Sequence, residues 1–325
     1  MAIPTFHSGE RSLQQRVGVE ERLAAIGPQV VRDHMPDQHR ELFGKLPTLI
    51  VGSLDERGQA WASMLVGAPG FLQTPDAWHM RVQASVSADD PLAGALRVGA
   101  PLGLLGIEPH TRRRNRMNGQ VSAVEDHGFS LRVVQSFGNC PKYIQARSPD
   151  WVDRTPLPAH TLGSTLAGEA RELLARADTV FIASAAPGAG MAGTTPDQGV
   201  DVSHRGGPPG FLRLRDDAEG TTITLPDYRG NFFFNTLGNL LERPEAGLLC
   251  VDPDSGDVLQ IAVSARLDWD ADLSDWPGAE RLIHLRVRQH LWRPQAVPLR
   301  WSAPEPAPQF AGFKTAVPGP TVPAG

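Results

Sequence analysis

The sequence predicts a mainly β protein with peripheral helices, in which two small antiparallel barrels follow each other along the chain. Apolar and polar residues alternate with a period of two in several stretches, which is typical of antiparallel strands with one buried face. Long helices between these stretches are missing, which argues against a doubly wound parallel sheet. A series of short motifs also occurs twice in the same order, which indicates a repeated unit.

The first predicted elements are helices. Residues 1–40 have mainly helical character: Ser12 is a suitable N-cap, and Gly27-Pro28 should end the helix that follows. A second helical turn covers Asp37–Phe43. The apolar run Thr48–Ser53 then predicts the first strand.

The repeat is visible in three pairs of segments that keep their order. The pairs are Thr48–Ser53 with Thr179–Ser184, Pro69–Phe71 with Pro209–Phe211, and Gly103–Pro109 with Gly247–Pro253. We therefore predict an internal duplication, because three matches in one order are hard to obtain by chance. The expected division is a helical segment (1–40), a first barrel (41–147), a linker (148–165), a second barrel (166–301) and a proline-rich tail (302–325).

The clearest strand patterns lie in the second half. In Leu259–Leu267 and in Ile283–Leu291, apolar residues occupy most of the odd-numbered positions, and polar residues occupy most of the positions between them. Each pattern predicts a strand with one face on a core and the other towards solvent or a polar cleft.

Composition limits the function. The chain has 325 residues, 41% hydrophobic and 21% charged, as expected for two folded domains. Its net charge of −5 disfavours nucleic-acid binding. Its two cysteines, Cys140 and Cys250, are too few for a disulfide framework or a four-thiolate metal site. We find no apolar run long enough for a membrane span and no secretory signal, so we expect a cytoplasmic protein that uses neither metal nor membrane.

Two segments combine residues that suit a phosphate or a nucleotide. Asp201–Phe211 and Pro226–Asn239 bring hydroxyl, guanidinium, amide and glycine groups together. Arginine binds phosphate with two parallel hydrogen bonds, and asparagine can both donate to and accept from a heterocycle. The alternative is that these are turn residues, since the same types dominate turns. A GxGxxG pattern at Gly188–Gly193 is a weaker signal, because no long amphipathic helix follows it.

These two segments resemble the flavin-binding half of the pyridoxamine 5'-phosphate oxidase-like split-barrel flavoproteins, most closely a bacterial flavin-nucleotide-binding group. Three further segments resemble signatures of that group: Met35–Glu41, Arg112–Gly119 and Gln135–Ile144. The resemblance extends from Phe6 to about Trp301. It implies six-stranded antiparallel barrels that pair, with FMN in the cleft between them.

Carried over position by position, the resemblance implies a cofactor site made by both barrels. The second barrel would hold the phosphate with Ser203, Arg205 and Arg229. Its further contacts with the flavin would be Gly207, Gly210, Phe211, Pro226, Asp227, Asn231, Asn235, Asn239 and Gln260. The first barrel would add Gln135, Ser136 and Asn139.

If both barrels lie in one chain, they form an internal pseudo-dimer with two clefts. Aligning the repeats places Leu65 on Arg205 and Val66 on Gly206, so the first barrel lacks the phosphate-binding guanidinium. We therefore predict one working cleft, anchored by the second barrel. Whether the internal pair assembles further into a homodimer stays open.

The leading functional hypothesis is an FMN-dependent oxidoreductase with unassigned substrate and electron donor and no assigned catalytic side chain. Oxidation of pyridoxamine phosphate is disfavoured, because the tail from Leu299 to Gly325 lacks the Arg-x-His motif of that enzyme. Two alternatives are a flavin carrier without turnover and a relative that uses haem or deazaflavin, with His204 or His290 to test for haem. The cluster Arg112–Arg116 is expected to be a solvated hairpin, and Cys140 and Lys142 have no assigned role.

Overall fold

The computed structural model describes residues 5–313 and confirms the mainly β class, with 40% of residues in strands and 18% in helices. Six helices lie around two sheets. They are α1 (Ser8–Arg16), α2 (Glu20–Val30), α3 (Asp37–Lys45), α4 (Pro91–Ala95), α5 (Gly168–Arg176) and α6 (Asn235–Glu242). No helix in this part of the chain is both long and apolar enough to cross a bilayer.

The N-terminal segment is helical but is divided differently from the prediction. α1 begins at His7, whose imidazole accepts a hydrogen bond from the Gly9 N–H at 3.1 Å, while Glu10 accepts from the His7 N–H at 2.9 Å. This reciprocal cap starts the helix before Ser12. α2 then continues past Gly27-Pro28 to Val30. The expected stop at Pro28 was wrong: the helix continues two residues past this proline, although its missing N–H leaves one hydrogen bond of the last turns unmade.

The first sheet contains seven antiparallel strands. They are β1 (Thr48–Leu54), β2 (Ala60–Val66), β3 (Leu72–Gln73), β4 (His79–Val82), β5 (Pro101–Glu108), β6 (Arg113–Glu125) and β7 (Gly128–Gly138). Their order across the sheet is β2-β1-β5-β6-β7-β4-β3.

Residues 148–165, expected to be a linker, contain two short strands, β8 (Pro149–Trp151) and β9 (His160–Leu162). β8 pairs with a strand near the end of the described chain, β17, formed by Leu299–Trp301. β9 adds to the second sheet. The segment is therefore tied to the second half of the chain. Of the expected tail, residues 302–313 are described, and residues 314–325 lie outside the described chain.

The second sheet repeats the strand order of the first. Its main strands are β10 (Thr179–Ala185), β11 (Val200–Gly206), β12 (Arg213–Asp217), β13 (Gly220–Tyr228), β14 (Glu245–Val251), β15 (Val258–Asp268) and β16 (Ala279–Arg293). They run β11-β10-β14-β15-β16-β13-β12, with β9 added beside β16. The resemblance implied six-stranded barrels, whereas each sheet has at least seven strands, and the paired split barrels of a pseudo-dimer stay a prediction. In residues 5–313 the outer strands of each sheet do not pair, so both sheets are open.

Each sheet curls around its own hydrophobic core. The first core includes Leu49, Leu104 and Phe129, and α3 adds Phe43. The second core includes Ile182, Leu248 and Ile283, and α5 and α6 add further side chains. Because every long strand contributes one face to such a core, its other face is left for contacts outside the core.

The two sheets meet through close backbone contacts at glycines. A Cβ atom on Gly103 in β5 would lie 2.5 Å from the carbonyl oxygen of Val200 in β11. A Cβ atom on Gly247 in β14 would lie 2.4 Å from the carbonyl oxygen of Ala60 in β2. In the shared strand order, β5 of the first sheet corresponds to β14 of the second, and β2 of the first corresponds to β11 of the second. The two contacts are therefore equivalent, and each sheet supplies the glycine in one of them. A shared apolar cluster that includes Ile50, Leu105, Phe181 and Leu249 fills the space between.

We predict that Gly103→Ala destabilises the protein by about 1–3 kcal/mol, because the methyl group meets rigid backbone rather than a movable side chain. Urea unfolding gives the free energy. The matched control is Gly44→Ala in α3, where a Cβ meets nothing within 4 Å. That change should leave stability unchanged or raise it by up to about 1 kcal/mol. Equal effects of the two substitutions would contradict the close packing of the sheets.

Candidate functional site

A polar cleft opens where the two sheets meet. β6 of the first sheet forms one wall, and β11, β13, β16 and the start of α6 form the other. The cavity is small, about 110 Å³. That size holds an anion such as phosphate, and a larger ligand would extend beyond it.

Four arginines converge on this cleft. Arg114 and Arg116 come from β6, Arg205 comes from β11 and Arg281 comes from β16. Arg114 and Arg116 point the same way because they are two residues apart on one strand. Arg116 and Arg281 are each only 3% exposed, so the charges are held away from bulk water.

Buried carboxylates compensate three of these arginines in part. Arg116 Nη1 lies 3.0 Å from Asp201 Oδ1. Arg205 Nη1 lies 2.6 Å from Asp227 Oδ1, and Arg281 Nη1 lies 3.2 Å from Asp227 Oδ2. The Nε atoms of all three arginines are nevertheless buried without a hydrogen-bond partner in the described chain. A buried N–H without a partner is costly, so the positive charge of these arginines is not fully compensated within the described chain, and an anion in the cleft would add to that compensation.

Arg114 is bonded to neutral groups. Its Nε donates to the Cys140 carbonyl oxygen at 2.8 Å, and its Nη1 lies 3.2 Å from His204 Nδ1. Burial, and then the positive charges of Arg116 and Arg205, lower the pKa of Arg114 to about 10. The group therefore stays charged at neutral pH. Burial, together with Arg114 and Arg205, lowers the pKa of His204 well below its usual value, so His204 is neutral and can accept from Arg114.

A buried network of polar side chains holds Arg116 in place. Its guanidinium donates to Asn235 Oδ1 at 2.9 Å and to the Ser203 hydroxyl. Ser203 also accepts from Thr236 Oγ1 at 2.9 Å. Behind the arginine, Asn118 Nδ2 donates to Asp201 Oδ1 at 2.8 Å. These bonds fix the guanidinium against the cleft wall, which favours a preorganised site.

The N-terminal helix also reaches this network. Glu10 in α1 accepts from Asn235 Nδ2, and α1 lies against α6 so closely that a Cβ on Gly9 would lie 2.3 Å from the Gly238 carbonyl oxygen. Burial, and then the nearby charge of Asp201, raise the pKa of Glu10 well above its ordinary value. Glu10 is therefore held in its protonated form at a pH where an exposed glutamate is ionised.

Six of the residues predicted from the sequence line the cleft: Asn139, Ser203, Arg205, Asp227, Asn231 and Asn235. Two others lie next to it. Pro226 lines a small adjoining cavity, and Asn239 is buried behind the cleft, where its Nδ2 donates to Ser184 Oγ at 3.0 Å. The adjoining cavity also contains Lys142, and Cys140 lines both spaces.

The turn after β11 does not line the cleft. Phe211 is buried in the core of the second sheet, and Gly210 adopts a φ of +84° that suits a tight turn. A Cβ on Gly207 would lie 2.3 Å from the Phe211 ring, so this glycine makes room for packing. The structure therefore gives these three residues a role in the turn and the core, as the turn alternative anticipated. Arg229 is exposed, with its guanidinium 5.2 Å from the centre of the Phe232 ring.

Three other predicted residues lie elsewhere. Gln135 lines a separate groove, and Ser136 is fully buried, with its Oγ 2.8 Å from His39 Nδ1. Gln260 is fully buried at the other contact between the sheets, where its Nε2 donates to the Ala62 carbonyl oxygen at 2.9 Å. The structure does not bring these residues into the arginine cleft.

Sequence reasoning missed three of the four arginines. The cluster Arg112–Arg116 was expected to be a solvated hairpin, but Arg114 and Arg116 face the second sheet and Arg116 is buried. The alternation of arginines along a strand was the available signal, since residues two apart share a face. Arg281 gave no comparable signal, because its neighbours Glu280 and Leu282 form an ordinary strand pattern.

The equivalent position between the sheets has different chemistry. Arg116 in β6 pairs with Leu105 in the neighbouring strand β5. Gln260 in β15 pairs in the same way with Leu249 in β14, the residue that matches Leu105 in the repeat. Gln260 therefore occupies the place of Arg116 in the second sheet. Nearby, Asp90 is paired with Arg293 at 2.6 Å. β9 also covers the edge of β16 beside this place. The second position therefore offers an amide and a paired carboxylate in place of the arginine cluster.

Comparison with known proteins gives distant structural similarities only. No family model matches the chain, and no curated protein is detectably similar in sequence. A protein from Lactobacillus delbrueckii assigned as a pyridoxamine 5'-phosphate oxidase has a TM-score of 0.30 at 14% identity, covering 39% of this chain and 93% of that one. An FMN-binding protein from Syntrophomonas wolfei has a TM-score of 0.27 at 15% identity, covering 38% and 86%. The haem storage protein HutZ from Vibrio cholerae has a TM-score of 0.26 at 13% identity, covering 38% and 91%.

We predict that Glu10 makes stability fall as the pH rises. Its folded pKa is raised, so the native state binds the proton more tightly than the unfolded chain. The stabilisation is complete below the ordinary pKa of a glutamate and is lost as the pH rises through the folded value. The Glu10→Gln side chain cannot ionise. The difference in the free energy of unfolding between the wild type and this variant, measured by urea titration, should therefore fall as the pH rises from the ordinary pKa of a glutamate to the folded value. Glu56→Gln, at an exposed loop position, should show no such trend; identical pH profiles for all three proteins would contradict the argument.

Proposed function

We propose that the arginine cleft binds the phosphate of flavin mononucleotide and that the protein is a flavin-dependent oxidoreductase. The observation that carries the proposal is the convergence of four arginines on one small cleft, three of which have a buried Nε–H without an acceptor in the described chain. The resemblance of Asp201–Phe211 and Pro226–Asn239 to flavin-binding segments supports the choice of nucleotide.

The residues of the cleft fit a phosphate monoester. Arg114 and Arg205 supply charged donors, and Ser203 supplies a hydroxyl on the same wall. Arg116 is held by Asp201 and Asn235, so it adds fixed positive charge rather than a mobile side chain. Such preorganised donors bind a dianion in a site from which most water is excluded.

A bound flavin would supply the hydride and electron transfer chemistry itself. The chain's own contribution would be to anchor the phosphate, orient the cofactor and limit its contact with water. No general acid or base is required for this role. The competing proposal, a carrier that binds flavin without turnover, uses the same cleft and differs only in the lack of reaction with reductants.

We predict that Arg114→Ala and Arg205→Ala each weaken FMN binding by about 10- to 100-fold, the effect of losing one charge-assisted hydrogen bond. Quenching of FMN fluorescence on titration with protein measures the affinity. Arg215→Ala, an exposed arginine on β12, is the matched control and should bind like the wild type. Arg229→Ala should also change affinity little, because its guanidinium lies outside the cleft.

A protein that takes up no FMN, or full affinity in both cleft variants, would refute the proposal. Titration with haem gives a separate outcome. A Soret band that is lost on substitution of His204 would favour haem in the same cleft. Tight FMN binding without any oxidation of reduced pyridine nucleotides would favour the carrier.

We predict a stoichiometry of one FMN per chain. The second position has Gln260 in place of Arg116 and Leu65 in the aligned place of Arg205. Its Arg293 is paired with Asp90 at 2.6 Å, so it lacks the cluster of arginines that would hold a phosphate. Absorbance of the protein–flavin complex after gel filtration, with protein measured by amino-acid analysis, gives the ratio. Two flavins per chain would show that the arginine cluster does not select the site.

A further inference from the structure

A large groove lies on the other side of the Arg116–Asp201 pair from the cleft. It encloses about 670 Å³, within the size range of ligand sites. One wall is the loop of residues 186–199 between β10 and β11, which contains the GxGxxG pattern. The corresponding loop between β1 and β2 spans only residues 55–59. The longer loop thus creates a wall that the equivalent place in the other half does not have.

The floor of this groove carries two carboxamides side by side. Asn118 is 5% exposed, and its Nδ2 donates to Asp201 Oδ1 at 2.8 Å and to Gln135 Oε1 at 3.4 Å. Its Oδ1 has no hydrogen-bond partner in the described chain. Gln135 lines the same groove, and its Nε2 is a donor. An acceptor beside a donor is the complement of a primary carboxamide, which presents N–H and C=O together.

The rim of the groove is aromatic and apolar. Trp78 is 54% exposed, and its ring centre lies 6.2 Å from that of His34. Met191, in the glycine-containing loop, is 67% exposed and also lines the groove. An exposed tryptophan beside a polarizable thioether offers a surface on which a flat ring can stack.

Two arginines add positive charge to the same groove. Arg132 Nη2 donates to the uncharged Gln120 side chain at 3.1 Å. Arg32 is fixed at the edge of β7, where its backbone pairs with Ser136. Neither forms a salt bridge among residues 5–313. Asp33 also lines the groove, but its carboxylate lies 2.8 Å from His34 Nδ1 and is paired with neither arginine. An anionic substituent on the ligand would therefore meet two arginines without a salt-bridge partner in the described chain.

We propose that this groove binds an aromatic carboxamide that carries a phosphate group, the chemistry of a nicotinamide nucleotide. The carboxamide pairs with Asn118 and Gln135, the ring stacks at Trp78 and the phosphate lies near Arg32 or Arg132. Binding is a property of the groove alone. It goes beyond the proposed flavin function and does not depend on it.

The test uses the full-length, flavin-free protein and isothermal titration with nicotinamide mononucleotide. Nicotinic acid mononucleotide, in which a carboxylate replaces the carboxamide, should bind about tenfold or more weakly because it has no N–H for Asn118 Oδ1. Trp78→Ala should weaken binding of the carboxamide about tenfold through loss of stacking. Trp151→Ala, a similarly exposed tryptophan on β8 outside the groove, is the matched control and should bind within about twofold of the wild type.

No binding of nicotinamide mononucleotide, equal affinity for the acid, or an unchanged affinity in Trp78→Ala would overturn the inference. FMN titration of the same samples separates this result from the cleft. Arg205→Ala should lose FMN affinity and keep nicotinamide mononucleotide affinity, and Trp78→Ala should do the reverse. Failure of the FMN arm alone refutes the flavin proposal, and failure of the nicotinamide arm alone refutes the groove.

Discussion

Close contact between the backbones of the two sheets is the constraint on which the rest of the molecule depends. Gly103 and Gly247 let β5 approach β11 and β14 approach β2 without intervening side chains. At that separation, side chains of β6 reach the second sheet, and Arg116 can pair with Asp201. Larger residues at the glycines would move the sheets apart and with them the two walls of the cleft.

The arginine cluster is stable only because its charges are shared among buried partners. Burying an ion costs several kcal/mol unless partners replace water. Asp201 and Asp227 provide most of that replacement, and His204 stays neutral beside Arg114. The compensation is incomplete at the Nε atoms of three arginines. An anion that completes this charge compensation would bind to arginines that are already held in position.

The sequence predicted the mainly β class and some of the residues that line the candidate cleft, for identifiable reasons. Strand periodicity depends on local burial, so the mainly β class followed from patterns such as Leu259–Leu267. The glycine turn at Gly207 looked like a ligand contact because turns and phosphate sites use the same residue types. The alternation of Arg114 and Arg116 could have placed both on one face of a strand. The partners of Arg116 and Glu10 could not be predicted, because they come from segments distant in the chain. Local patterns carry no information on such contacts.

The covalent link between the two similar sheets changes what a mutation can do. When identical subunits pair, every substitution is duplicated by symmetry, and two related sites must change together. Here Gln260 and Arg116 occupy matching places but are encoded separately. One of the two contact regions between the sheets can therefore lack the arginine cluster and serve only to pack the sheets, while the other keeps the cluster. Selection can act on each region without changing the other.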